Sequence, residues 1–105
     1  TLEQFVASER SLRRAVELEP ASAIAHHYLG RSLFQQAFVI LSATTIDRPK
    51  LEEAIGSLER AVALAPERVD FVLAAGEAHE RNSAFADAAR HYRRAVELDP
   101  LTPLD

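Results

Sequence analysis

Three stretches of this chain are near copies of one another. Ser11–Pro20 reads SLRRAVELEP, Ser57–Pro66 reads SLERAVALAP and His91–Pro100 reads HYRRAVELDP. The second and third lie 34 residues apart, the first and second 46 apart, which is one such period with 12 residues inserted. Self-similarity at a fixed period of this size marks a repeat architecture, in which one supersecondary unit recurs and buries its apolar face only against its neighbours. At 105 residues the chain has room for two or three such units.

Each copy closes a helix. Phe5, Ser8, Leu12, Ala15 and Val16 recur at spacings of three and four, as do Leu51, Ala54, Leu58, Ala61 and Val62, then Phe85, Ala88, Tyr92, Ala95 and Val96. That spacing lays one apolar stripe along a helix. Small alanines alternate with large residues, as close packing on a neighbouring helix requires. Pro20, Pro66 and Pro100 cannot continue a helix and disfavour α geometry before them. A second helix precedes two of the three. Ser22 is placed to cap one over 23–36, and the other is expected over 69–81, ended at Asn82-Ser83, where Asn tolerates a left-handed turn. Gly30 and Gly76 hold equivalent places on these helices. Because glycine inside a helix costs about 1 kcal/mol, its recurrence predicts a close approach to Ala54 and Ala88. Few glycines, abundant Ala, Leu, Arg and Glu, and no cysteine exclude turn-rich β folds, disulfides and thiolate metal sites.

These residues together resemble the tetratricopeptide repeat: Leu29-Gly30 and Ala75-Gly76, then Ala88, Tyr92, Ala95 and Pro100 at the family's spacing. The family's early aromatic is His26 or Val72 here, and a later tyrosine is Leu33 or His79. The resemblance implies an all-α, right-handed α-solenoid of stacked antiparallel hairpins with about five helices. Residues 1–19 form the second helix of a truncated repeat, and 22–65 a repeat with a lengthened first helix and a loop near 37–48. Residues 68–99 form a further repeat, and 101–105 a tail or the start of another unit. The resemblance also implies recognition of a protein or peptide on a concave surface lined by the first helices. Carried onto this chain, those residues are Ile24, His27, Tyr28, Arg31 and Gln35 on one helix, and Asp70, Leu73, Glu77, Glu80 and Arg81 on the next. Tyr28 and Leu73 would anchor an extended or helical peptide of mixed charge. Some of these residues would otherwise pack on a missing unit or pair across the groove, Arg31 with Glu77. Capture of a C-terminal carboxylate by lysine and asparagine is disfavoured, because Lys50 and Asn82 lie off that face.

Thr1 and Gln4 read as a capping box, and Thr102-Pro103 as the cap of a further helix. The insertion is placed between Gln36 and Asp47, which caps the next helix ahead of Pro49. It lengthens the first helix through Phe38, Ile40 and Leu41. An apolar overhang of that kind is covered by the protein itself or used for docking, including a homodimer.

A net charge of −4 disfavours nucleic acid, and no apolar run is long enough to span a bilayer. No basic-then-apolar secretory signal opens the chain, as would also hold for a processed or excised one; the cytoplasm is slightly favoured with the periplasm open, and the arginine- and alanine-rich composition is of a kind found in bacteria. Adjacent His26 and His27 point about 100° apart on a helix. His79 and His91 fall on different helices with no ligand set visible in the sequence, so no metal, cofactor or catalytic residue is expected. The chain reads as a binding module, with a structural or self-associating segment, or a non-catalytic part of a larger enzyme, as alternatives.

Overall fold

The computed structural model describes residues 2–38 and 46–104, for Leu2 and Phe5 the backbone alone. Five helices follow one another: α1 (Leu2–Leu18), α2 (Ala23–Phe38), α3 (Arg48–Leu64), α4 (Val69–Arg81) and α5 (Phe85–Leu98). Each packs on the next, and α2 also touches α4. The molecule measures 37 × 36 × 19 Å. Packed helix axes lie about 8–10 Å apart, so 19 Å accommodates two layers. The contacts assign α2 and α4 to one layer and α1, α3 and α5 to the other.

The three proline-terminated copies make three equivalent turns. The amides of Glu19, Ala65 and Asp99 donate to the carbonyls of Ala15, Ala61 and Ala95, each at 2.9 Å. Those of Ser22, Arg68 and Thr102 then donate to Glu19, Ala65 and Asp99. The Ser22 hydroxyl caps α2 by accepting from the Ala25 amide at 3.2 Å. Thr102 does not cap a new helix. Its hydroxyl turns back to donate to the Asp99 carbonyl at 2.6 Å, because the end of α5 offers bare carbonyls. The Thr1 cap lies outside the described residues.

Alanines and leucines fill the interface between layers. Leu33, Leu51, Ala54, Leu58, Ala61, Phe71, Val72, Ala75, Ala78, Ala88 and Ala95 are all buried. A Cβ on Gly30 would stand 2.6 Å from Leu58 Cγ and 3.1 Å from the Ala54 carbonyl. One on Gly76 would stand 2.9 Å from Tyr92 Cε1 and 3.3 Å from His91 Cβ. The close approach expected of Gly76 is therefore to Tyr92 and His91 rather than to Ala88. Leu58 and Tyr92 are 34 residues apart, so the two glycines meet the same repeat position.

Helix α4 ends in a Schellman motif: Ala84 N–H donates to His79 O, and Ser83 N–H to Glu80 O, both at 2.9 Å. The left-handed residue is Ser83, with φ 60°, not the expected Asn82. The Asn82 side chain instead accepts a hydrogen bond from Arg48 at 2.8 Å.

Helix α3 begins as expected, with the Asp47 carboxylate accepting from the Lys50 amide at 3.1 Å. Asp47 N–H also donates to Ala37 O at 3.0 Å, which brings the two sides of the insertion together. Beneath it, buried Gln36 donates to Glu9 at 2.9 Å and accepts from Lys50 at 2.9 Å. Arg13 reaches Glu9 at 2.7 Å and Glu53 at 2.5 Å. Burial alone would raise the Glu9 carboxyl, but the hydrogen bonds from Arg13 and Gln36 and the charges of Arg13 and Lys50 hold it below its ordinary value. This network ties α1 to the hairpin formed by α2 and α3.

Gly30→Ala is expected to lower stability by about 1–3 kcal/mol, since Leu58 is locked in the core and cannot yield. Gly56→Ala, with nothing within 4 Å of the new methyl, should raise it by about 0.5–1 kcal/mol. Ser83→Gly should also stabilise, by up to about 1 kcal/mol, by relieving the left-handed strain. Urea melts of the three variants check all three signs.

Candidate functional site

The layer of α2 and α4 carries three adjoining clefts. Tyr28, Arg31 and Gln35 line the first, together with Ser8 and Leu12 of α1. Arg31 and Gln35 continue into a second, narrow one, where Phe34 and Leu58 form the floor and Ala74 and Glu77 the far side. The third is the largest at about 1050 Å³, and Leu73, Glu77, Glu80 and Arg81 line it with Phe85, Tyr92 and Leu104. Arg31 and Gln35 bridge the first and second clefts, and Glu77 the second and third. A continuous surface about two hairpins long thus runs across the ends of the three clefts. The period of α2 and α4 explains the arrangement. Positions three and four apart present one face, and the opposite stripe (Ala25, Leu29, Leu33 and Val72, Ala75, Ala78, His79) is consumed by the core.

Helix α5 and the tail contribute residues the sequence reading did not assign to this face. Tyr92 Oη donates to Glu80 at 2.7 Å. Burial first, then the Glu80 hydrogen bond and the charges of Glu80 and Glu77, push the Tyr92 hydroxyl up to about 12. Phe85 is 65% exposed on the same cleft. Both lie on the apolar stripe of α5: the Tyr92 ring packs on the preceding helix beside Gly76 and only its hydroxyl reaches the cleft wall, whereas Phe85 is left uncovered.

Three residues assigned to the groove, Ile24, Asp70 and His27, stand apart from these clefts. Ile24 is exposed and lines none of the three. Asp70 lies at the start of α4, held by Arg68 at 2.8 Å, and the hydrogen bond from Arg68 keeps its carboxyl below the ordinary range. Arg68 also lies 4.2 Å over the Phe71 ring. Arg81 projects its guanidinium 4.8 Å over Phe38, which itself packs on Phe34 with ring centroids 5.0 Å apart. Phe38 of the expected docking overhang is thus half-buried within the chain, and Ile40 and Leu41 lie outside the described residues.

His27 requires a correction. Expected on the groove, it is only 4% exposed and stacks on Phe71 of α4 with centroids 4.3 Å apart. Its position on α2 turns it towards the neighbouring first helix rather than to solvent. The adjacent His26 takes another direction, with Nε2 at 2.8 Å from the Pro20 carbonyl, and so braces the turn before α2.

A second correction concerns His79 and His91. The sequence showed no ligand set around them, yet His79 Nε2 lies 3.2 Å and His91 Nε2 2.6 Å from the same oxygen of Glu59. Three helices supply the three side chains, which is why no spacing along the chain revealed them.

Burial, reinforced by the charge of Arg31 and partly opposed by Asp70, holds the His27 imidazole below its ordinary value of 6.5. The folded chain therefore keeps His27 neutral where the unfolded chain takes up a proton. The stability this contributes is present above pH 6.5 and is lost as the pH falls below it. Thermal melts at pH 7.5 and pH 5.5 should show a larger drop for the wild type than for His27→Leu, about 1 pH unit either side of that value.

Known proteins were compared with this geometry. No curated protein sequence matches the chain. Among solved structures, the MamA RS-1 ArsTM double mutant superposes with a TM-score of 0.76 at 25% identity, over 92% of this chain and 48% of that one. MamA 41-end from Desulfovibrio magneticus RS-1 gives 0.75 at 24% identity, over 96% and 50%. MamA AMB-1 gives 0.75 at 20% identity, over 97% and 49%. These likenesses show the fold, and the chain spans about half the length of the structures it matches. The family profile described as tetratricopeptide repeat matches residues 47–103, covering α3, α4 and α5 and more than half of the chain. The chain belongs to the tetratricopeptide repeat family.

Proposed function

We propose that this chain is a protein-interaction module that takes a peptide segment along the clefts of α2 and α4, and that it carries out no chemistry of its own. The observation that carries the reading is the composition of that continuous face. Apolar side chains (Tyr28, Leu73, Phe85, Tyr92) line its two outer clefts, and charges of both signs (Arg31, Glu77, Glu80, Arg81) are spaced along it. Apolar anchors seated in clefts supply most of the energy of such contacts, and surrounding charges set register and orientation. Tyr28 is 48% exposed and Arg31 lies 5.8 Å over its ring, a cation–π pair that offers an aromatic face and a charge side by side. The paired carboxylates favour a peptide with a basic residue next to its apolar anchor.

Membership of a repeat family built for protein contacts supports the same reading, as does the fold shared with MamA. Self-association through the overhang is the weaker alternative, because Phe38 is already packed on Phe34 and covered by Arg81.

Panning a displayed peptide library against the folded chain should return sequences with an aromatic or aliphatic anchor flanked by Lys or Arg. Leu73→Asp and Glu77→Arg should each weaken a selected peptide at least about tenfold, equivalent to 1.4 kcal/mol. Glu52→Arg, at an exposed position of α3 away from the clefts, should leave it unchanged. Binders that ignore the first two variants and respond to the third would overturn the groove.

A further inference from the structure

Away from the clefts, Glu59 of α3, His79 of α4 and His91 of α5 bring one ligand atom each to within 4.8 Å of one another. The histidines are 11% and 4% exposed at their side chains, while Glu59 is 38% exposed and opens the cluster to solvent. The rings lie 5.2 Å apart.

Hydrogen bonding fixes what this cluster lacks. His91 Nδ1 lies 2.8 Å from the Asp87 carbonyl, and a carbonyl oxygen only accepts, so Nδ1 carries a hydrogen and donates. In the neutral ring Nε2 is then a bare lone pair. It faces Glu59 Oε1 at 2.6 Å, and that oxygen also only accepts. Two lone pairs at that distance require a proton between them, and a metal ion would replace that proton only with the two groups drawn apart to about 3.3 Å. His79 presents its own Nε2 to the same oxygen at 3.2 Å. Behind it, Nδ1 faces the Asp87 carboxylate at 4.0 Å. Asp87 therefore backs the His91 ring by a hydrogen bond to its carbonyl, and faces His79 with a carboxylate just beyond hydrogen-bond distance. Outer partners of that kind orient metal-binding imidazoles and leave Nε2 free for the metal.

We propose that Glu59, His79 and His91 form a binding site for a divalent transition-metal ion of the zinc class. Two imidazoles and one carboxylate suit zinc, cobalt or nickel, whereas magnesium and calcium require mainly oxygen donors. Bonds of 2.0–2.2 Å in a tetrahedron separate neighbouring ligand atoms by about 3.3 Å. The His79 contact already has that separation, while the half-exposed Glu59 carboxylate would draw back from His91 and the two histidine nitrogens, within 4.8 Å of each other, would close in. Three protein ligands leave a fourth position for water on the open side. The ion would join the second helix of one hairpin to both helices of the next, and so hold fixed the angle between the hairpins. The site is separate from the peptide clefts and does not depend on them.

Zinc titrated into the full chain, followed by calorimetry and by competition with a chromogenic chelator, should bind at one equivalent and raise the melting temperature. His79→Gln, His91→Gln and Glu59→Gln should each weaken binding at least about tenfold, and Asp87→Ala, which removes the carboxylate facing His79 along with its exposed pair to Arg90, by about the same factor or less. His26→Gln, at the turn before α2, should leave it unchanged. Cobalt bound in place of zinc should show the visible absorption of a low-symmetry four-coordinate ion, lost in Glu59→Gln. That variant keeps both buried rings, so it reports on binding if the histidine variants fail to fold by circular dichroism. Absence of a saturable single site in the wild type would mean that a proton alone joins Glu59 to His91 and would overturn the proposal. Binding equal in wild type and Glu59→Gln would overturn it as well.

Discussion

Everything in this fold depends on how closely two helices of a hairpin can approach. Gly30 and Gly76 leave no side chain where Leu58 and Tyr92 must sit, and a single methyl at either place would overlap its neighbour. Close approach buries the alanines at 54, 61, 75, 78, 88 and 95, which are too small to fill a wider gap. The stripe of small and large residues is therefore one device with the glycines. With the backbones drawn together, the equivalent turns after α1, α3 and α5 repeat the same pair of hydrogen bonds, and each hairpin hands its neighbour the same surface.

Tight packing also decides the fate of the polar residues. Gln36, His27, His79 and His91 are all buried between helices, where an unpaired polar group is costly. Gln36 is matched on both of its ends by Glu9 and Lys50. His27 relies on stacking, and its Nδ1 finds no partner among the described residues, in keeping with an imidazole held neutral by burial. His79 and His91 converge on one carboxylate, the arrangement in which a cation is called for. The same constraint that builds the core thus sets up the polar clusters inside it.

The clefts are what the packing leaves over. The first helices spend one face on the core and keep the other. Because α2 and α4 touch, their free faces join into a surface whose narrow middle cleft is shared by Arg31 and Glu77. Tyr92 belongs to both worlds: its ring fills the space beside Gly76 while its hydroxyl holds Glu80 on the cleft wall. A peptide would meet a wall whose rigidity comes from the core.

The helices, their order and their ends were legible in the sequence because each rests on local physics: apolar residues three and four apart, a proline that stops a helix, Ser22 and Asp47 capping the next. The groove face came with the family resemblance rather than with spacing, and Tyr28, Arg31, Gln35, Leu73, Glu77, Glu80 and Arg81 do line adjoining clefts. Placement between helices was not legible. Whether His27 points to solvent or into Phe71 depends on where α4 lies, and the two alternatives share one position on α2. The left-handed residue fell on Ser83 rather than Asn82 because the hydrogen bonds to His79 and Glu80 set the register of that turn. Glu59, His79 and His91 are 20 and 12 residues apart along the chain and meet only because α3, α4 and α5 cross at one point. Periodicity acts along one helix and determines its faces; which atoms of different helices share a space is decided by the distance and angle at which those helices pack.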